Sequence, residues 1–115
     1  MTIEDLQKIC NDLKGTTEDI KWEDHLCFNV GNKIYLITSP DSLPQSASFK
    51  TTEEDFDILY ERKGFMPAPY LARYKWVQLE NINLLSPLEW KKYIQKSYDL
   101  VYSKLPAGLK KELES

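Results

Sequence analysis

Arg62, Lys63, Tyr70, Arg73, Tyr74, Lys75 and Trp76 interleave cations with aromatic rings along one short stretch. Arg and Lys can contact phosphates, while Tyr and Trp can stack on bases or on ribose. In a strand, Arg73 and Lys75 would share one face and Tyr74 and Trp76 the other. The period-2 pattern therefore also permits aromatics in the core and cations in solvent. A second cluster, Glu23-Asp24-His25, sets two carboxylates and the one histidine beside Trp22. A carboxylate can tune a neighbouring histidine as an acid/base pair. A polar turn between two strands accounts for the same residues without any chemistry. Cys10, His25 and Cys27 are too few for a closed tetrahedral zinc site, so no metal and no cofactor are expected. Cys10 fits an apolar helix stripe, where free cysteines usually sit. Gly-rich phosphate loops, dinucleotide fingerprints and nucleophile elbows are all absent.

The elements that must position these residues can be read from period and punctuation. Thr2 is placed to cap a first helix with Asp5 in the capping-box position, and Ile3, Leu6, Ile9, Cys10 and Leu13 recur at helical spacing. Gly15 supplies a left-handed stop. The period then changes to 2. A short strand is expected around Asp19 to Glu23, then Leu26, Phe28 and Val30 alternate with His25, Cys27 and Asn29 as in a half-buried strand. Gly31-Asn32 turns that strand into the β-rich run Lys33 to Thr38. After the polar turn PDSLPQS, a strand is expected at Ala47 to Lys50.

Thr51 or Thr52 should cap a second helix, with Glu54 or Asp55 reaching back and Phe56, Leu59 and Tyr60 facing inward. The segment FMPAPYLARY reads as irregular because Pro67 and Pro69 remove two backbone donors. Lys75 to Leu79 resumes as a strand. The last helix has a complete start: Ser86 as cap, Pro87 in the first turn, Glu89 in the capping box, and Leu85 with Trp90 as a hydrophobic staple. Trp90, Ile94, Ser97, Val101 and Leu105 run along one side, flanked by Tyr93 and Tyr98, while Lys91, Lys92 and Lys96 face away. Pro106 ends the helix, and residues 107–115 are expected to form a loose turn or to fray. The fold class is α+β, a mainly antiparallel sheet with helices packed on one face.

With 115 residues, 42% hydrophobic and 29% charged, the chain is the size of one globular domain, and no linker or repeat divides it. Fifteen basic and eighteen acidic residues give a net charge of −3 that conceals a gradient. Residues 1–61 hold five Lys against thirteen Asp and Glu, whereas residues 62–115 hold ten Lys and Arg against five. Local charge governs attraction to a polyanion, so the C-terminal half can build a basic face. No apolar run approaches the roughly 20 residues of a membrane span. The N-terminus lacks the pattern of a secretory signal, and two cysteines make no disulfide framework. The expected setting is the cytoplasm with both thiols reduced and no membrane contact, and a monomer is the default state.

Three blocks, DIKWEDHLCFNVGNKIYLI (19–37), KGFMPAPYLARYKWVQL (63–79) and SYDLVYSKLP (97–106), together resemble the MmcQ/YjbR family. The most specific parts are the PAPYL run followed by Lys75-Trp76, and Ser97-Tyr98 with Lys104-Leu105-Pro106. Members are small bacterial proteins predicted to bind DNA through a double-wing motif. The resemblance implies a single domain over residues 1–115 with a CyaY-like fold. Its wings would be hairpins, the best defined turning at Gly31-Asn32 with Lys33 near its tip. The turn PDSLPQS, a candidate for the other, carries no basic residue.

The expected function is that of a non-enzymatic DNA-binding module, weak and largely phosphate-directed. Lys63, Arg73 and Lys75 are assigned to phosphates, Lys33 to the wing tip, and Tyr70 and Tyr74 to stacking or positioning. Three cations imply a salt slope on duplex DNA of about −2.7. The alternative is a small-molecule or protein-interaction module with an aromatic pocket near Trp22, His25, Pro69, Tyr70 and Trp76. An enzyme using His25 with Glu23 or Asp24 is a third option.

Overall fold

The Thr2 hydroxyl accepts from the Asp5 amide, and the Asp5 carboxylate accepts from the Thr2 amide. This capping box satisfies two donors that every helix start leaves bare, and it opens α1 (Ile3–Asn11). The computed structural model describes residues 1–114. After α1 come four strands, β1 (Thr16–Lys21), β2 (His25–Val30), β3 (Lys33–Ser39) and β4 (Ser46–Lys50). Then follow α2 (Glu53–Tyr60), β5 (Phe65–Pro67), β6 (Trp76–Leu79), α3 (Pro87–Tyr102) and α4 (Ala107–Glu114). Single 3-10 turns at Ala72–Tyr74 and Ile82–Leu84 flank β6.

The six strands pair antiparallel throughout in the order β1-β2-β3-β4-β6-β5. Phe28 lies opposite Leu36, Leu36 opposite Phe49, and Phe49 opposite Val77, so these four side chains share one face. Helices cover that face: the Phe49 ring lies 5.7 Å from both Trp90 and Tyr93 of α3. Trp90 is fully buried, and its indole N–H donates to the Ile82 carbonyl at 2.8 Å. The other face carries the cross-sheet row Asp19, Cys27, Ile37, Ser48, Gln78 and Met66. The class is therefore α+β as the element order implies. No described helix is long and apolar enough to cross a membrane.

Several local expectations change once the elements pack. The first strand runs Thr16–Lys21 and stops before Trp22, because Trp22 and Glu23 take left-handed φ values of 51° and 72°. β2 is buried on both faces from Leu26 on, and its Asn29 donates to Asp19 of the neighbouring strand at 3.0 Å. In α2 only the Thr52 hydroxyl cap is present, and Asp55 turns instead to Lys96 at 2.9 Å. Tyr60 stands out in solvent, stacked on Phe56. Residues 65–67, read as irregular, form the edge strand β5, where Pro67 costs no ladder bond.

Lys75 is not in a strand at all: it caps the Ala72–Tyr74 turn at φ 65°. The C-terminal tail is helical. Its Leu109 and Leu113 pack against the core, and a Cβ on Gly31 would lie 2.6 Å from Leu105 and 3.0 Å from Leu109. Gly31, at φ +57°, is thus required both by the turn and by the close approach of the α3–α4 segment.

A bulge in β3 shifts the register between the Phe28–Leu36 and Asn29–Ile34 pairs. Ser97, fully buried on α3, resolves the backbone groups there. Its hydroxyl donates to the Tyr35 carbonyl at 2.6 Å and accepts from the Lys50 amide at 3.1 Å. The fit is specific to a small hydroxyl at that helix position. Ser97→Ala should therefore lower stability by about 1–3 kcal/mol, because both backbone groups lose their partner. The check is a urea titration, with a reduced midpoint and an unchanged slope expected.

Cys10 and Cys27 are both fully buried, and burial pushes their thiols up to about 12 and about 11 respectively. A thiol-exchange reagent at pH 8 should therefore label neither residue in the folded protein and both in denaturant. Fast labelling without denaturant would contradict this burial.

Candidate functional site

Strand alternation puts Ser48 and Lys50 of β4 on the face opposite Phe49, together with Gln78 and Trp76 of β6. β3 adds Ile34 and Ile37 to that face. Two turns wall it in. The β1–β2 turn brings Trp22 and His25, and the segment after β5 brings Ala68, Pro69, Tyr70 and Leu71. With Asn32 and Lys33 from the hairpin tip, these residues, Lys50 excepted, line a groove of about 790 Å³. It gathers Trp22, His25, Pro69, Tyr70 and Trp76, residues far apart in the chain.

The groove is lined by strained backbone. Trp22, Asn32 and Tyr70 all have left-handed φ values, of 51°, 65° and 66°. Asn tolerates that region, whereas a bulky aromatic there is a true outlier. Trp22 is 64% exposed and Tyr70 98% exposed. His25 meets the Trp22 ring edge-on at 5.8 Å. The Asp24 carboxylate lies 2.8 Å from His25 Nδ1, yet it is out of line for a hydrogen bond, and the buried Nδ1 has no hydrogen-bonding partner among the described residues. Cys27 Sγ turns to the His25 carbonyl at 3.8 Å.

Next to the groove, and sharing Lys33, Ile34 and Trp76 with it, is a smaller depression of about 280 Å³. Lys33 from the start of β3, Lys50 from the end of β4 and Lys104 from the turn after α3 all line it. None of the three has a carboxylate partner among the described residues. Burial lowers the pKa of Lys50, and the charge of Lys104 lowers it further. The site thus holds uncompensated positive charge, which an anion would relieve.

The cations assigned to phosphate from sequence scatter. Arg73 does not share a face with Lys75: its guanidinium lies 4.8 Å over the Tyr74 ring and donates to the Tyr74 hydroxyl at 2.6 Å. That pair adjoins Lys50, whose Nζ is 6.0 Å from the Tyr74 ring. Lys75 folds back over Phe56 of α2 at 5.1 Å. Lys63 precedes β5, whose Phe65 pairs with Leu79, so it stands at the far end of β6 from Lys75. Arg62 is consumed structurally, bound to Glu89 at 2.7 Å and to the Leu84 carbonyl at 3.0 Å. On the last helix Lys96 is paired with Asp55, and Lys92 lies over Tyr93.

Lys50 and Lys104 were missed by the sequence reading. A signal for Lys50 existed in the alternation of SASFK, which turns Ser48 and Lys50 away from the core. Lys104 had none beyond its place beside Leu105 and Pro106.

A family model for YjbR matches residues 11–100. Among solved structures, a Deinococcus radiodurans protein described by its DUF419 domain superposes with a TM-score of 0.87 at 25% identity. That alignment covers 98% of this chain and 88% of the other. A Pseudomonas syringae protein shares the fold with a TM-score of 0.72 at 20% identity, covering 88% of this chain and 99% of that one. No curated protein matches the chain significantly. The family match runs from the end of α1 through the hairpin, both groove walls and most of α3, and on that span the chain belongs to the YjbR family.

Proposed function

We propose that the protein is a non-enzymatic DNA-binding module that holds phosphates through Lys33, Lys50 and Lys104. The observation that carries this reading is the gathering of three lysines from separate segments at one depression, without carboxylate partners among the described residues. Arg73 and Tyr74 extend the same surface past Lys50. Lys63 lies outside it, and so does Lys75, which is turned over Phe56. Such a surface reads charge, so its binding is weak and largely independent of sequence. A binding role over catalysis is supported by Cys27, the nucleophile nearest His25 in sequence, which is buried with its thiol raised to about 11.

The second reading is a small-molecule module, favoured by the groove of about 790 Å³ and its aromatic walls. It requires a ligand whose stabilisation of the protein is insensitive to salt and is lost in Trp22→Ala and Tyr70→Ala.

Fluorescence anisotropy with a mixed 20-mer duplex at several salt concentrations tests the DNA reading. Three phosphate-contacting lysines give a slope of log K against log salt of about −2.7, and Lys33→Gln/Lys104→Gln should bring it to about −0.9. No binding at low salt would overturn the DNA reading. Binding that the double variant leaves unchanged would remove these lysines from the interface.

A further inference from the structure

The lysine depression and the aromatic groove are parts of one surface: Lys33, Ile34 and Trp76 belong to both. Positive charge beside a ring-lined cleft is the chemistry that recognises an anion attached to a planar ring. We propose that the groove seats an unpaired DNA base while the lysines hold its phosphate, so that the protein prefers single-stranded DNA to duplex. This inference rests on the DNA reading above and narrows its substrate.

Three observations support it. First, Trp22 and Tyr70 present large aromatic surfaces to solvent at 64% and 98% exposure, where a core role is excluded. Second, both are held in left-handed backbone, at φ 51° and 66°, a strain that persists only when the surrounding structure imposes it and that clusters at ligand sites. The turns that carry them would be satisfied more easily by Asn or Gly. Third, the concavity demands a base out of its stack. Paired bases offer a protein only their edges in the grooves, whereas aromatic walls engage the face of a ring. Stacking of this kind tolerates any base, in keeping with a surface that carries no evident sequence code. Charge selects the occupant further: the lysine end favours a phosphodiester over a neutral aromatic.

The experiment compares a fluorescent oligo-dT 20-mer with the mixed 20-mer duplex, by anisotropy at low salt. The wild type is run with Trp22→Ala, Tyr70→Ala and Trp22→Phe, all at exposed positions. Tighter binding of the single strand is expected. Trp22→Ala and Tyr70→Ala should each weaken it by roughly 5- to 150-fold, the usual effect of losing one stacking ring, while duplex affinity stays the same. Trp22→Phe should restore most of the loss, since it returns a ring face without the indole N–H.

Equal or tighter duplex binding, or single-strand affinity unchanged in both alanine variants, would overturn the inference and leave the phosphate-directed DNA reading standing. Absence of binding to either oligonucleotide would overturn both. A salt-insensitive gain in melting temperature with a free nucleobase, without oligo-dT binding, would assign the groove to small molecules and also refute the proposal.

Discussion

Ser97 joins the helix layer to the sheet at the point where the sheet is irregular. The bulge in β3 leaves the Tyr35 carbonyl without a strand partner, and β4 ends at Lys50 with an amide turned towards the helices. One buried hydroxyl serves both, as donor and acceptor at once. Neither alanine nor a larger polar side chain could do so at this depth. The constraint fixes the register of α3 over β3 and β4, and with it the place of Lys50. Tyr98, the next residue, donates to the Lys14 carbonyl and ties the same helix to the end of α1. Further along, Leu105 closes over Gly31 and anchors the hairpin tip that carries Lys33. The three lysines therefore owe their proximity to one helix and the turn that follows it.

Electrostatics explains why a chain of net charge −3 can carry a basic site. Some carboxylates elsewhere are each held by a cation: Asp55 by Lys96, Glu89 by Arg62 and Asp19 by Lys21. The Arg62 guanidinium beside Glu89, together with the Ser86 amide, holds that carboxyl below its usual range. Lys33, Lys50 and Lys104 at their shared depression have no such partner among the described residues. The acidic residues Glu23 and Asp24 sit instead in the β1–β2 turn, beside Trp22 and His25. The groove is basic at the hairpin tip, where Lys33 lines it, and at the other end its lining is Trp22 and His25 without the two acids.

Strain and exposure mark the same wall residues. Trp22 and Tyr70 combine an exposed ring with left-handed backbone, which local preference disfavours for a bulky aromatic. Both rings line the same groove, although they come from segments far apart in the chain.

By itself the sequence determined what depends on neighbours a few residues away. The capping boxes at Thr2 and Ser86, the Thr52 cap, the Gly31-Asn32 turn and the buried stripe of α3 all follow from spacing within one turn or one hairpin. Family membership was legible too, because PAPYL, Lys75-Trp76 and Ser97-Tyr98 are short patterns. Tertiary structure alone decided which cations meet. β4 pairs with β6 across the intervening α2 and β5, and no local pattern announces that pairing. It sets Lys50 opposite Trp76, while the docking of the α3–α4 turn on the hairpin brings Lys104 to Lys33. The period-2 reading of residues 73–76 fails as well, since the chain enters β6 through the Ala72–Tyr74 turn that Lys75 caps in left-handed backbone. Capping and turn energies act over a few residues, whereas a site built on a sheet face is specified by pairings between distant segments, which only the packed core selects.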